Sequence, residues 1–332
     1  MPYCFSFFKE ICRIVSWKKI HNLLKLTITY HFKFLPQRFR FYHQPFSIAI
    51  EPTNNCQLRC KECPTGMGTS TRPKGFLQFE DFQKAIDQCA DYLLNLTFYF
   101  QGEPFLHKDT CRCIAYAKEK KIFVNTSTNG QNIDEDLARQ IVTSGLHRLV
   151  ISLDGKDQNS YEQYRQNGSI DKVFFSIRNL ATAKRKARSP FPQLVVQCLL
   201  LRSTENDIAQ IIHLAKQAGA DKVVFKTAQF YDLENRNELL PINNANSRYQ
   251  RNQDGKYECK TSPKIHRNCW RAWTSVVITW DMNVLPCCFD KDGLYCFGNL
   301  KQNNLWDILH GEKYLSFQHA PKNMSMCHNC IQ

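Results

Sequence analysis

The chain has 332 residues, 43% of them hydrophobic, with 44 basic and 30 acidic side chains giving a formal net charge of +14. This length and apolar share suit a globular chain with a sizeable core and exclude the short disulfide scaffold that sixteen cysteines would otherwise suggest. No apolar run approaches the roughly 18 residues of a membrane span, and Lys9, Glu10 and Arg13 interrupt the apolar start, so a cytoplasmic, untranslocated protein is expected.

Residues 1–45 hold Lys9, Arg13, Lys18, Lys19, Lys25, Lys33, Arg38 and Arg40 against Glu10 alone, so 8 − 1 = +7, half of the excess charge. They read as a basic, aromatic-rich arm. Such an arm is either solvated and loosely packed or rests on an anionic surface, whether phospholipid, nucleic acid or acidic peptide.

From Phe46 onward strand-like and helix-like stretches alternate. FSIAIE (46–51) reads as a strand, FEDFQKAIDQCADYLL (79–94) as a helix with Phe79, Phe82, Ile86 and Leu93 on one side, and LTFYFQ (96–101) as a second strand. Helices over 109–121, 134–145, 171–187 and 205–220 then alternate with strands over 122–128, 147–153, 193–201 and 221–228. Six strands, each after the first preceded by a helix, predict an α/β fold with right-handed crossovers: a partial (β/α)6 TIM-like barrel over 46–228. Such a barrel gathers its site at the C-terminal ends of the strands. Residues 229–263 are polar and read as a connection, and 264–332 as a small cysteine-rich domain.

Cys89, Cys111, Cys113 and Cys198 lie in periodic apolar segments and are expected as small core residues. Two other groups point to metal ligation: Cys56, Cys60 and Cys63, and a run from Cys259 to Cys330. In NNCQLRCKECPTG (54–66) the spacing of three and then two residues differs from the paired C-x-x-C hooks of a zinc ribbon. Three thiolates hold three irons of a cubane and leave the fourth without a protein ligand.

A C-x-x-x-C-x-x-C loop after the first strand of a partial barrel resembles the radical S-adenosylmethionine enzymes. The resemblance implies a 4Fe–4S cluster on Cys56, Cys60 and Cys63, with S-adenosylmethionine chelating the open iron. Reductive cleavage then gives methionine and a 5′-deoxyadenosyl radical that abstracts hydrogen from substrate. It also implies an electron donor such as a flavodoxin or ferredoxin. FQGEP (100–104) resembles the family's G-G-E-P turn: Gln101 replaces the first glycine, while Gly102, Glu103 and Pro104 agree. By the same resemblance Glu103 binds the methionine amino group, and Asn129 of STNG and Ser152 of ISLDG contact the methionine or ribose part. Arg165, in YEQYRQNGS, matches an arginine that pairs with the methionine carboxylate. Taken singly, each of these stretches also reads as an ordinary turn or cap.

At the C-terminus, CWRAWTSVVITWDMNVLPCCFD (269–290) reads as a hairpin with Cys269 before its first strand and Cys287 at the end of its second. An amphipathic helix within 297–317, with Leu305, Ile308 and Leu309 inward, leads to Cys327 and Cys330. Four such sulfurs suit zinc or an iron–sulfur cluster equally. Attached to this barrel, the unit resembles the SPASM domain of peptide-modifying members of the family. That implies one auxiliary 4Fe–4S cluster on Cys269, Cys287, Cys327 and Cys330, with Cys288 and Cys296 spare. Met282 stands where the family's hairpin glycine sits, which costs little if the turn's left-handed position falls on Asn283.

A SPASM unit implies a peptide or protein side chain as substrate, with a small metabolite, lipid or cofactor precursor as the alternative. The opposing class is a non-catalytic iron–sulfur or zinc module. Gln197 and Lys226, on late strands, are candidates to face the substrate, against a role in bracing a loop.

Overall fold

The computed structural model describes residues 2–32, 41–231, 237–260, 269–319, 324–327 and 330. In chain order the strands are β1 (Ser47–Ile50), β2 (Asn95–Thr97), β3 (Phe123–Thr128), β4 (Arg148–Ser152), β5 (Gln193–Leu200), β6 (Lys222–Thr227), β7 (Tyr249–Arg251), β8 (Tyr257–Cys259), β9 (Ser275–Ile278), β10 (Asn283–Leu285) and β11 (Gly298–Asn299). Helices Phe79–Cys89, Thr110–Glu119, Glu135–Thr143, Ile170–Lys186 and Ile208–Ala218 separate the first six. The expected α/β order is therefore present, with β1–β2, β2–β3, β4–β5 and β5–β6 paired in parallel.

The chain forms two compact units. One holds Met1–Asn54, Arg72–Asn125 and Pro263–Cys327; the other holds Asn55–Thr71, Thr126–Ser262 and His328–Gln332. In the first unit β1 pairs in parallel with β2 on one side and with β9 on the other, in register Ser47↔Ser275 through Ile50↔Ile278. The C-terminal hairpin thus covers what would be an open strand edge, where unpaired backbone groups invite association. Phe82, Ile86, Leu96 and Phe98 are fully buried here, as are Cys89 and Cys113. Burial pushes both thiols up, Cys89 to about 12, which suits inert core residues.

Two features of this unit differ from the sequence reading. Residues 297–317 form two helices, Leu305–His310 and Glu312–His319, because Gly311 takes an extended conformation between them; Leu305, Ile308 and Leu309 are buried as expected. The left-handed residue of the β9–β10 hairpin is Met282, with φ +72°, and not Asn283, which begins β10. The turn fixes this register: Met282 N donates to Thr279 O at 2.9 Å and Asn283 N to the Thr279 hydroxyl at 3.0 Å. The Met282 side chain is buried. Met282→Gly relieves about 1 kcal/mol of backbone strain but forfeits about 2–3 kcal/mol of burial. The variant is expected to unfold at lower temperature, by calorimetry, despite restoring the family's residue.

The basic N-terminal segment is helical over Pro2–Ile14 and Trp17–His31, rather than a loose arm. Ser16 caps the second helix at Lys19 N, and Leu26 packs with Ala272, Trp273 and Phe317. Lys33, Arg38 and Arg40 lie outside the described residues. No described helix is long and apolar enough to cross a membrane.

In the second unit β4, β5 and β6 run parallel, with Ser152 opposite Gln197 and Leu199 opposite Lys226. The polar connection carries structure of its own. β7 and β8 form a hairpin turning at Gly255, whose φ of +76° favours glycine. Leu239, Leu240 and Tyr249 are buried in one cluster with Leu58 and Cys60, so this segment packs against the cysteine loop.

Candidate functional site

The cysteine loop leaves β1 through Glu51, Thr53 and Asn54, all buried. In the first unit, Asn54 accepts from Gly75 N at 3.1 Å and donates to Pro73 O at 2.8 Å, tying loop entry to loop exit. Glu51 forms a buried ion pair with Arg72 and accepts from Trp280 N at 3.3 Å. Gly75 lies flat against the Trp280 ring, where a Cβ would approach to 2.4 Å.

Within the second unit the loop folds tightly on itself. Cys63 N donates to Cys60 O at 3.2 Å, and a Cβ on Gly66 would meet Cys60 N at 2.7 Å. Leu58 anchors the loop in the core, Cys60 is buried, and Cys56 and Cys63 are half-buried. The Cys56 sulfur accepts from Leu58 N at 3.5 Å and from Asn129 Nδ2 at 3.7 Å. Backbone hydrogen bonds Arg59 N→Gln166 O (3.0 Å) and Lys61 N→Tyr164 O (3.1 Å) bring Arg165 beside the loop, and its Nη1 lies 3.6 Å from the Cys60 sulfur.

This environment fits a metal cluster. Burial pushes the Cys60 thiol up, and the Arg165 guanidinium opposes that rise. A buried thiol beside a guanidinium becomes a stable thiolate when a metal supplies further compensating charge. Among the described residues no three Cys, His, Asp or Glu side chains converge on a single-ion position. A cubane asks for no such convergence, because each thiolate takes a separate iron.

Asp154 was not in the expected set. Its carboxylate is fully buried, accepts from Arg165 Nε at 2.6 Å, and accepts from Leu199 N at 2.6 Å beside β5. Its own signal in the sequence was only the turn text LDG, and its partner lies eleven residues on. Gln57 was also missed; its Nε2 donates to Asn129 Oδ1 at 3.4 Å. Asn129 is buried, and Ser152 is half-buried at the end of β4. Gln197 is half-buried beside Ser152, whereas Lys226 is exposed.

Gln101, Gly102 and Glu103 follow β2 in the first unit. Gly102 is left-handed at φ +70°; Gln101 and Glu103 are buried, and Glu103 caps the turn Pro104–Leu106 by accepting from Phe105 N at 3.3 Å. In the same unit Cys269 packs on the Leu26–Trp273 cluster, and Cys287 follows β10. Cys327 ends a 3-10 turn, and Cys330 belongs to the second unit. Cys288 and Cys296 pack against Phe100, Val277 and Leu285. The Cys287 hydrogen bond, with the positive charges of Arg271 and Lys291, holds the Cys288 thiol low. Arg271 Nη1 lies 2.8 Å from its sulfur.

A parallel-stranded α/β fold with a thiol-rich loop after its first strand describes a class of iron–sulfur enzymes. The chain belongs to the radical SAM superfamily: residues 50–215 match that family, and residues 269–331 match the SPASM iron–sulfur cluster-binding domain. Membership implies 4Fe–4S clusters and S-adenosylmethionine as cofactors. Among curated proteins, an AdoMet-dependent heme synthase of Methanosarcina barkeri is 27% identical over 53% of this chain and 48% of its own length. The chain thus matches about half of that relative. A PqqA peptide cyclase of Xanthomonas campestris pv. campestris is 24% identical over 86% of this chain and 79% of its own. Among solved structures, SuiB of Streptococcus suis, determined with S-adenosylmethionine and separately with its precursor peptide SuiA, superposes with a TM-score of 0.61 at 15% identity. It covers 86% of this chain, which in turn covers 68% of SuiB in the first of those structures. At that identity the likeness shows the fold.

Proposed function

We propose that this radical SAM enzyme modifies a side chain of a peptide or protein substrate. The observation that carries the reading is a SPASM domain on a radical SAM chain whose match to a peptide cyclase runs over most of both proteins. The fold shared with SuiB, seen with a precursor peptide, supports it. The shorter match to a heme synthase favours a second reading, a cofactor precursor or other small molecule as substrate.

In this proposal Cys56, Cys60 and Cys63 hold the radical-generating cluster, and Cys269, Cys287, Cys327 and Cys330 hold the auxiliary one. The bound cluster and S-adenosylmethionine supply a 5′-deoxyadenosyl radical for hydrogen abstraction. By family resemblance Glu103 is assigned to the methionine amino group, Arg165 to its carboxylate, and Gln101, Gly102, Asn129 and Ser152 to the remaining contacts with S-adenosylmethionine. Gln197 is the candidate substrate contact. Lys226, being exposed, serves only a substrate that approaches from outside. A flavodoxin or ferredoxin is the class of electron donor.

Glu103→Ala is expected to slow S-adenosylmethionine cleavage by about tenfold or more, as loss of a charge-assisted hydrogen bond, with iron content unchanged. Turnover at the parental rate would remove Glu103 from the cofactor site. The substrate half of the proposal is tested by anaerobic incubation with dithionite, S-adenosylmethionine and short peptides encoded beside the gene. A peptide mass reduced by hydrogen loss supports it. Formation of 5′-deoxyadenosine only with a non-peptide substrate would favour the second reading.

A further inference from the structure

The helix Trp17–His31 is built inside out. Its buried side is largely polar: Lys19, Asn22 and Thr29, with Leu26. Each polar group there has a partner. Lys19 Nζ donates to Lys121 O at 2.5 Å, and Asn22 exchanges two hydrogen bonds with the Gln44 backbone at 2.9 and 2.8 Å. Thr29 meets the Phe41 backbone at 3.3 Å. These bonds seat the helix on the first unit and leave its large apolar residues on the other side.

That outer side carries Trp17, Ile20, Leu24 and Ile28, exposed by 75%, 39%, 53% and 43%, with Phe32 at 50% just past the helix end. Spacings of three and four residues set them in one stripe. Phe8 adds another exposed ring from the preceding helix. A continuous apolar stripe of this kind marks an interaction surface. Its surroundings carry more cations than anions. Lys18 and Lys25 lie on its flank, and Arg13 lies close by in the sequence. Asp91 reaches Lys18 at 2.6 Å, and Glu10 is buried against Lys118 and Arg13.

These features select among occupants. A second copy would set the Lys25 side of one helix against that of the other and offer no anion beyond Asp91 and Glu10, which Lys18, Lys118 and Arg13 already hold. An acidic soluble peptide would match the lysines and leave Trp17, Leu24 and Ile28 wet. An anionic phospholipid surface matches both, with phosphates for the lysines and an acyl boundary for the stripe. We propose that the outer face of the helix Trp17–His31 seats the enzyme on an anionic phospholipid membrane, lying in the plane of the surface with Trp17 at headgroup depth.

The test is co-sedimentation of the full-length, cluster-loaded enzyme with phosphatidylcholine vesicles, with and without phosphatidylglycerol, at low and high salt. The expected result is binding to the anionic vesicles that weakens as salt screens the lysines. The double variant Leu24→Ser/Ile28→Ser is expected to bind about tenfold or more weakly, from the lost burial of two aliphatic side chains. Because both residues are exposed, the variant should keep the parental melting temperature and iron content. Bromine-labelled lipid should quench tryptophan emission in the parent and to a smaller extent in Trp17→Phe. Failure to bind anionic vesicles overturns the proposal, as does equal binding by the double variant. Self-association abolished by the double variant would also overturn it, in favour of a second copy on this face.

Discussion

Cys60→Ala is expected to abolish formation of 5′-deoxyadenosine and to remove about four of about eight irons per chain. Cys60 is the buried member of the trio, held on both sides by backbone hydrogen bonds of its loop and faced by Arg165. Alanine fills most of its volume in the cluster shared with Leu58 and Tyr164, so the fold should survive. Arg165 keeps Asp154 as its counter-ion and is not stranded. The remaining iron should then report the C-terminal site alone. Iron analysis and anaerobic turnover check both halves. A variant that keeps all its iron would show that the loop is not a cluster site.

Asp154→Ala should be the most damaging change outside the cysteines. It leaves the half-buried Arg165 guanidinium without the buried carboxylate that holds it, a loss of about 3 kcal/mol, the low end for a broken buried pair. It also removes the acceptor for Leu199 N at the edge of β5. Chemical denaturation should show this loss in the midpoint. Asp154→Asn keeps an acceptor for Leu199 and restores part of the stability, but it no longer holds Arg165 by charge. Its expected signature is therefore an unfolding midpoint between those of the parent and Asp154→Ala, with a raised KM for S-adenosylmethionine. If both variants bind S-adenosylmethionine normally, Arg165 is oriented by something else. Arg165→Lys should not substitute for the parent, because an ammonium cannot reach Asp154 and a second anion with a planar fork.

The six strands were legible because each alternates or runs apolar between helices of clear period. The cysteine loop was legible because its spacing is local. What escaped the sequence depends on distant partners. Asp154 has the text of a turn, and only the fold shows that it holds Arg165. The pairing of β9 with β1 joins residues more than two hundred positions apart, and nothing in SVVI names its neighbour. Met282 takes the left-handed position because Thr279 fixes the turn register, a constraint stronger than the usual preference for asparagine. The hairpin β7–β8 was hidden by its polar composition, although the Asp254–Gly255 pair is a turn signal. The helix Trp17–His31 defeats the usual reading outright, since its apolar stripe faces away from the core.

The decisive measurement is electron paramagnetic resonance of the anaerobically reduced protein before and after S-adenosylmethionine, recorded in a Cys269→Ala background that removes the auxiliary signal. A trio of thiolates on a cubane leaves one iron to the ligand, so the spectrum should shift on addition and the shift should vanish with Cys60→Ala. A spectrum that S-adenosylmethionine leaves unchanged would contradict an open iron above Cys56, Cys60 and Cys63.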